Sequence, residues 1–194
     1  MKTFLSVLLF VGKRITIFTF AILILSSFAC VKDEACDLSS ACQNLYEKVG
    51  LAVQSRGPIC CIGKGIYKSL NDKIDIFSQD FQISQTLTFD EARELIISVV
   101  EDSLRIINND TFSSPWLEKH PFNYESLKTT IFIVDSMGDP INHPNLCLVQ
   151  IRNGKVNFKT QTFGYIPEYV DITEEPFEEA YFKVRGKKFH INEY

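Results

Sequence analysis

The residues that could carry chemistry are few: six cysteines, three histidines and a short acidic loop. The cysteines are Cys30, Cys36, Cys42, Cys60, Cys61 and Cys147. Asp135, Asp139 and His143 lie within one polar loop that also contains Gly138, Asp139-Pro140 and His143-Pro144, and could form a metal or acid–base cluster. Asp and Asn favour turns for local hydrogen-bonding reasons, and that is the reading this loop favours. His120 or His143, with Asp135, Asp139 or a cysteine, would be the machinery of a small hydrolase or thiol enzyme. No G-x-S-x-G, H-E-x-x-H or C-x-x-C pattern supports that chemistry. Gly63-Lys64-Gly65 is not a phosphate loop, because it lacks the G-x-x-x-x-G-K-[ST] spacing. No cofactor and no metal is expected.

What the cysteines do depends on the compartment, and the N-terminus speaks to that. Lys2, Lys13 and Arg14 form a basic region, Ile15 to Phe28 is an apolar run of fourteen residues, and Ser26, Ser27 and Ala29 are small. This is the layout of a secretory signal. The run is shorter than the about 20 residues a membrane span needs. Cleavage after Ala29 makes Cys30 the first residue, and Ala29-Cys30 is similar to a bacterial lipobox. Lipidation of Cys30 would then hold the chain to a membrane. Ser27 and Phe28 depart from the usual lipobox residues, which leaves a simple secreted form as the alternative.

Export permits disulfides. Asp37 to Val53 is predicted to be a helix, with Leu38, Ala41, Cys42, Leu45, Val49 and Ala52 near one stripe. Cys36 and Cys42 would then stand about 9 Å apart along the axis. That exceeds the roughly 7 Å reach of a disulfide, so the two are not expected to pair with each other. Cys60-Cys61 follows the turn signal Arg56-Gly57-Pro58 and could return to meet Cys36 and Cys42, stapling an N-terminal helical hairpin. If Cys30 carries lipid, five thiols remain and one is odd.

The elements that would position these residues centre on Thr88 to Asp110. Thr88-Phe89-Asp90-Glu91 has the form of a capping box. Ala92, Leu95, Ile96, Val99, Val100, Ser103 and Ile107 then recur at helical spacing. Gly63, Gly65 and the turn at 56–58 mark a loop. Ile66 to Phe81 admits two readings: Ile66, Leu70, Ile74 and Phe77 fall at helical spacing and favour a helix over 64–77 followed by a Ser/Gln linker, whereas Ile74 and Ile76 with Phe81 and Ile83 alternate as in strands. Ser113-Ser114-Pro115-Trp116-Leu117 predicts a short helical turn ended by Pro121, with Trp116 and Phe122 anchoring it to the core. Thr129 to Val134 is apolar on both faces and should be a central strand. Asn145 to Arg152 and Lys155 to Thr162 flank Asn153-Gly154, a two-residue hairpin turn. That turn sets Arg152 opposite Lys155, Ile151 opposite Val156, Val149 opposite Phe158 and Cys147 opposite Thr160. One face is then apolar, and the other carries Gln150, Asn157 and Lys159. Phe163 to Asp171 is expected as a fourth strand or an extended link. Thr173 is expected to cap a last helix with Glu174 and Glu175 in its first turn, ending at Gly186. Residues 187–194 would add a short edge strand or fray.

From Leu87 onward the chain resembles uncharacterised exported lipoproteins of Chlamydia-related bacteria. The resemblance rests on the helix followed by Pro115-Trp116-Leu117 and Pro121-Phe122, and on the strand and turn with Pro144. It continues in the Asn153-Gly154 hairpin and in Glu175-Pro176-Phe177-Glu178-Glu179-Ala180. It implies export and a lipid anchor, and no activity.

The expected fold is α+β: a long helix packed on an antiparallel meander sheet of three or four strands, preceded by a disulfide-stapled helical segment. Residues 1–29 would be the signal peptide, 30–86 the cysteine-bearing helical segment and 87–194 the α+β core, in one compact domain with the preceding segment. The chain has 194 residues and formal charge −4, which becomes −7 once Lys2, Lys13 and Arg14 are removed. An acidic chain without a basic run is a poor candidate for binding nucleic acid. The function expected is that of an envelope lipoprotein that binds a protein partner or supports an assembly without catalysing a reaction.

Overall fold

The computed structural model describes residues 37–162 and 168–194. The signal segment, Cys30, Cys36, the polar stretch 31–35 and Phe163–Pro167 lie outside the described residues. Helix α1, Leu38–Gln54, begins where the side chain of Asp37 accepts a hydrogen bond from the Ser40 N–H at 2.7 Å. Leu38, Ala41, Cys42, Leu45, Val49 and Val53 recur at three- and four-residue intervals and are all buried.

After the turn at Gly57 the expected helix over 64–77 is not found. Two ten-residue strands stand there: β1, Ile59–Lys68, and β2, Ile74–Ile83, paired antiparallel. On β2, Phe77, Gln79, Phe81 and Ile83 are buried beneath the helices, while Ile76, Asp80 and Gln82 alternate with them outward. The helical spacing of Ile66, Leu70, Ile74 and Phe77 was misleading because a turn interrupts it. The Ser69 N–H donates to Lys73 O at 2.8 Å, Asp72 has φ 59°, and Leu70 is fully exposed. Gly63 and Gly65 are strand residues, not a loop. A Cβ at Gly63 would stand 3.0 Å from Asp80 Oδ2, so the missing side chain is the space Asp80 occupies.

Helix α2, Phe89–Asn109, carries the expected capping box. Glu91 Oε2 accepts from the Thr88 N–H at 2.8 Å, and the Glu91 N–H donates back to Thr88 Oγ1 at 3.3 Å. Its stripe Ala92, Ile96, Val99, Val100, Leu104 and Ile107 is completely buried. A 3-10 turn, Ser114–Trp116, and a second, Tyr124–Ser126, lead into β3, Leu127–Ile133. Because α2 crosses over between them, β2 and β3 run parallel.

A meander follows: β4, Leu148–Arg152; β5, Lys155–Gln161; and β6, Tyr169–Pro176. The hairpin register is the expected one, with Arg152 opposite Lys155, Ile151 opposite Val156 and Val149 opposite Phe158. Asn153 at φ 51° and Gly154 at φ 72° take the left-handed conformations that this turn requires. Among the described residues the sheet therefore has six strands in the order β1-β2-β3-β4-β5-β6 and is mixed, not an antiparallel meander of three or four. Helix α1 packs against β1, α2 against β3 and β4, and α3 (Phe177–Arg185) against β5 and β6, all on the apolar face.

The last helix also starts later than expected. Thr173, Glu174 and Glu175 belong to β6, and Pro176 is the residue before the helix. Glu175 is opposite Val156 on the buried face, where Arg93 and Lys183 neutralise it. Pairing with β5 outweighs the local capping signal of Thr173. Gly186 ends α3 in the left-handed conformation, as its position predicts. Residues 187–194 form no edge strand. Phe189 and Tyr194 pack into the Phe177–Tyr181 ring cluster, and the chain closes in a 3-10 turn, Ile191–Glu193.

The disulfide-stapled helical hairpin is overturned as well. Cys42, Cys60, Cys61 and Cys147 are all free, and Cys60 and Cys61 lie on a strand rather than a second helix. Successive strand residues face opposite sides, so Cys60 is exposed while Cys61 faces α1.

Candidate functional site

The loop singled out from sequence is a turn in which Asp135 organises the backbone. Asp135 Oδ1 accepts from the Met137 N–H at 2.8 Å and from the Asp139 N–H at 2.9 Å. The Asp135 N–H donates to Asp139 O at 2.9 Å, and the His143 N–H donates to Gln161 O at 3.0 Å, tying the loop to the end of β5. Asp135, Asp139 and His143 do not converge. Among the described residues no group of three or more His, Cys, Asp or Glu side chains could hold a metal ion. His120 sits on a separate loop, between α2 and β3.

The thiols are held in their protonated form where they are buried. Cys147 is on the core side, as the hairpin register predicts, and its Sγ donates to Lys159 O at 3.3 Å. Burial pushes its pKa up to about 11, and burial likewise raises that of Cys42. Cys61 Sγ faces Gln79 Nε2 at 3.5 Å.

The densest charge lies on the outer side of α2, and it is paired internally. Arg185 of α3 reaches Glu94 at 2.7 Å, Glu101 at 2.5 Å and Ser98 Oγ at 2.9 Å. Tyr194 donates its hydroxyl to the same Glu101 at 3.0 Å. Arg93 bridges Asp90 and Glu175. Asp102 accepts from Arg56 at 2.5 Å and Arg105 at 3.0 Å. Burial alone would raise the Asp102 pKa, but hydrogen bonds from the two guanidinium groups outweigh it and hold the carboxyl below its ordinary value. A cleft of about 710 Å³ opens between Arg56, Ile59, Ile83, Leu95, Asp90 and Glu94. Arg56, Asp90 and Glu94 on its walls are the same groups that pair with Asp102, Arg93 and Arg185, so its charges serve the helix layer.

The other face of the sheet is different. No described helix covers it. Strand alternation places Asp80 of β2, Thr130 of β3, Gln150 of β4 and Asn157 of β5 on this face, and register aligns them across the sheet: Asp80 beside Thr130, Thr130 beside Gln150, Gln150 beside Asn157. Thr130 and Asn157 are each only 8% exposed, yet none of the four side chains has a hydrogen-bond partner among the described residues. Adjacent strands stand about 4.8 Å apart, so the row extends about 14 Å.

Toward one end of the strands Lys128 and Arg152 flank the row. Lys128 Nζ donates to the Tyr67 hydroxyl at 3.3 Å and lies over the Tyr67 ring, 5.5 Å from its centroid, and Arg152 is exposed with no ion pair among the described residues. The Tyr67 ring is 52% exposed. Toward the other end is the half-buried Phe132. Lys155 and Lys159 of the same face are paired with Glu174 and Asp171 of β6.

Sequence alternation found Gln150, Asn157 and Lys159 as the outward side of the hairpin. It missed Asp80, which fell in the linker expected after a helix over 64–77, and it missed Thr130, because β3 reads as apolar on both faces. No protein-family model matches the chain, and no curated protein or solved structure matches it. Among the described residues no helix is long and apolar enough to cross a membrane.

Proposed function

We propose that this chain is a non-catalytic binding module of the bacterial cell envelope, anchored through lipidated Cys30 and presenting the open face of its sheet to a partner. The observation that carries the reading is the row Asp80, Thr130, Gln150 and Asn157. Thr130 and Asn157 are buried and Asp80 and Gln150 half-buried, yet none of the four side chains has a partner among the described residues. The acidic groups and cations of the helix layer, in contrast, are paired with one another. Polar side chains that a protein leaves aligned and unpaired on a rigid scaffold are available to a ligand at little ordering cost. The signal-like N-terminus and the lipobox-like Ala29-Cys30 support the location.

The test is site-specific photocrosslinking in intact envelopes. A benzophenone side chain at position 150 or 157 should give adducts. The same group at Glu47, exposed on α1, should give none. Adducts at Glu47 with none at 150 or 157 would reject the open face as the binding surface.

A further inference from the structure

The physical character of the open face narrows what it can hold, provided the binding-module reading above stands. We infer that it takes an extended acidic glycan, a chain of sugar rings bearing carboxylates, laid across β2 to β5. Asp80 supplies acceptors only, whereas Thr130, Gln150 and Asn157 each supply both donor and acceptor. Sugar hydroxyls offer the same pairing of donor and acceptor. The step from one strand to the next, about 4.8 Å, is close to the advance of one ring along an extended glycan. Phe132, two residues along β3 from Thr130, lies beside the row and offers ring surface to the C–H face of a sugar.

Charge also bears on the ligand: against the one carboxylate of the row, Asp80, the face sets two cations unpaired among the described residues. Lys128 and Arg152 are the cations of this face without an ion pair among the described residues, and they flank the polar row on one side. A carboxylate on the bound chain would meet them with charge-assisted hydrogen bonds. A nucleic acid would need many more cations than this acidic chain offers. Gly63 and Gly65 keep the outward side of β1 bare, so the face stays flat toward that edge.

The experiment titrates the full-length protein, purified in detergent and labelled with nitrogen-15, with three probes while amide chemical shifts are followed. The probes are a hyaluronan octasaccharide (acidic glycan), chitohexaose (neutral glycan) and polyglutamate (acid without sugar). Hyaluronan should shift amides of β2 to β5, and chitohexaose should bind more weakly through the same residues. Gln150→Ala and Asn157→Ala should each weaken hyaluronan binding by about 3- to 10-fold, the loss of one hydrogen bond. Arg152→Ala should cost about tenfold for hyaluronan, the loss of a charge-assisted contact.

Polyglutamate binding as tight as hyaluronan would overturn the glycan assignment in favour of a simple charge effect. Shifts confined to the cleft beside α2, or none with any probe, would also overturn it. The unmodified protein gives the shift map, so the result does not depend on a variant folding. Crosslinks at 150 and 157 in envelopes without glycan binding would defeat only the ligand class. Absence of crosslinks there would defeat the binding reading beneath it.

Discussion

Asp110 offers a quantitative test of how α1 is held to the rest of the fold. Its side chain is 4% exposed and stands at the end of α2. Oδ1 accepts from Lys48 Nζ at 2.5 Å, while Oδ2 accepts from Asn44 Nδ2 at 3.0 Å and from the Ser113 N–H at 3.0 Å. One carboxylate thus ties two residues of α1 to the loop after α2. Replacing it by asparagine keeps an acceptor for Ser113 but turns an NH₂ group toward Lys48. Lys48 is 49% exposed, so its Coulomb share is screened and it can move to solvent. What is lost is the charge assistance of the two sheltered hydrogen bonds and the ammonium contact. We expect Asp110→Asn to cost about 1.5–3 kcal/mol at pH 7.

The pH dependence follows from the direction of the shift. Burial works to raise the Asp110 pKa, but the hydrogen bonds from Lys48 and Ser113 outweigh it and lower the value. An unfolded aspartate ionises near about pH 3.9. The stability this site contributes is therefore fully present above that pH and is lost as pH falls through the lower folded pKa. Urea unfolding of the two proteins in parallel at pH 7 and at acidic pH is the assay. The gap between them should narrow steadily below about pH 4. A difference under about 0.5 kcal/mol at pH 7, or a gap that stays constant into acid, would refute the reasoning.

Four further outcomes are expected. Gly154→Ala forces a left-handed conformation at φ 72° and brings a Cβ to 3.4 Å from Tyr124, so urea titration should show a loss of about 1–2 kcal/mol. Arg185→Met removes the clamp between α2 and α3, and thermal unfolding should show a loss of about 1.5–3 kcal/mol, with Glu101 keeping only the Tyr194 hydroxyl. A thiol reagent added to the reduced native protein should modify Cys60 quickly and reach Cys42 and Cys147 only after denaturation, as peptide mass mapping would read out. The intact mass of the membrane-extracted protein should correspond to a chain beginning at Cys30 plus acyl groups; an unmodified soluble species would remove the anchor from the proposal.

The features legible in the sequence were those encoded locally. Thr88 and Glu91 define a helix start within four residues, and Asn153-Gly154 fixes a register that then sorts Val149, Ile151, Val156 and Phe158 to one side. Gly186 ends a helix because few other residues tolerate its backbone conformation. What escaped was encoded non-locally. Gln79 sits on the buried face of β2, which breaks the apolar alternation; its Nε2 donates to Tyr46 O at 3.1 Å across the α1 interface, while its buried Oε1 has no partner among the described residues. Thr173 to Pro176 carries a helix-start signal, yet pairing with β5 and neutralisation of Glu175 by Arg93 hold it as a strand. The parallel pairing of β2 with β3 spans the whole of α2, and no short motif announces it. The open face was half visible: alternation exposed Gln150 and Asn157, while Asp80 and Thr130 joined them only once six strands were aligned.

The central claim, that the open face is occupied in its native setting, is tested most directly by chemical accessibility. Gln150→Cys and Glu47→Cys would each be labelled with a maleimide in intact envelopes and after purification, with modification followed by peptide mass. The account predicts that position 150 is labelled much more slowly in envelopes than in the purified protein, while position 47 reacts equally in both. Equal rates at position 150 in the two preparations would contradict it.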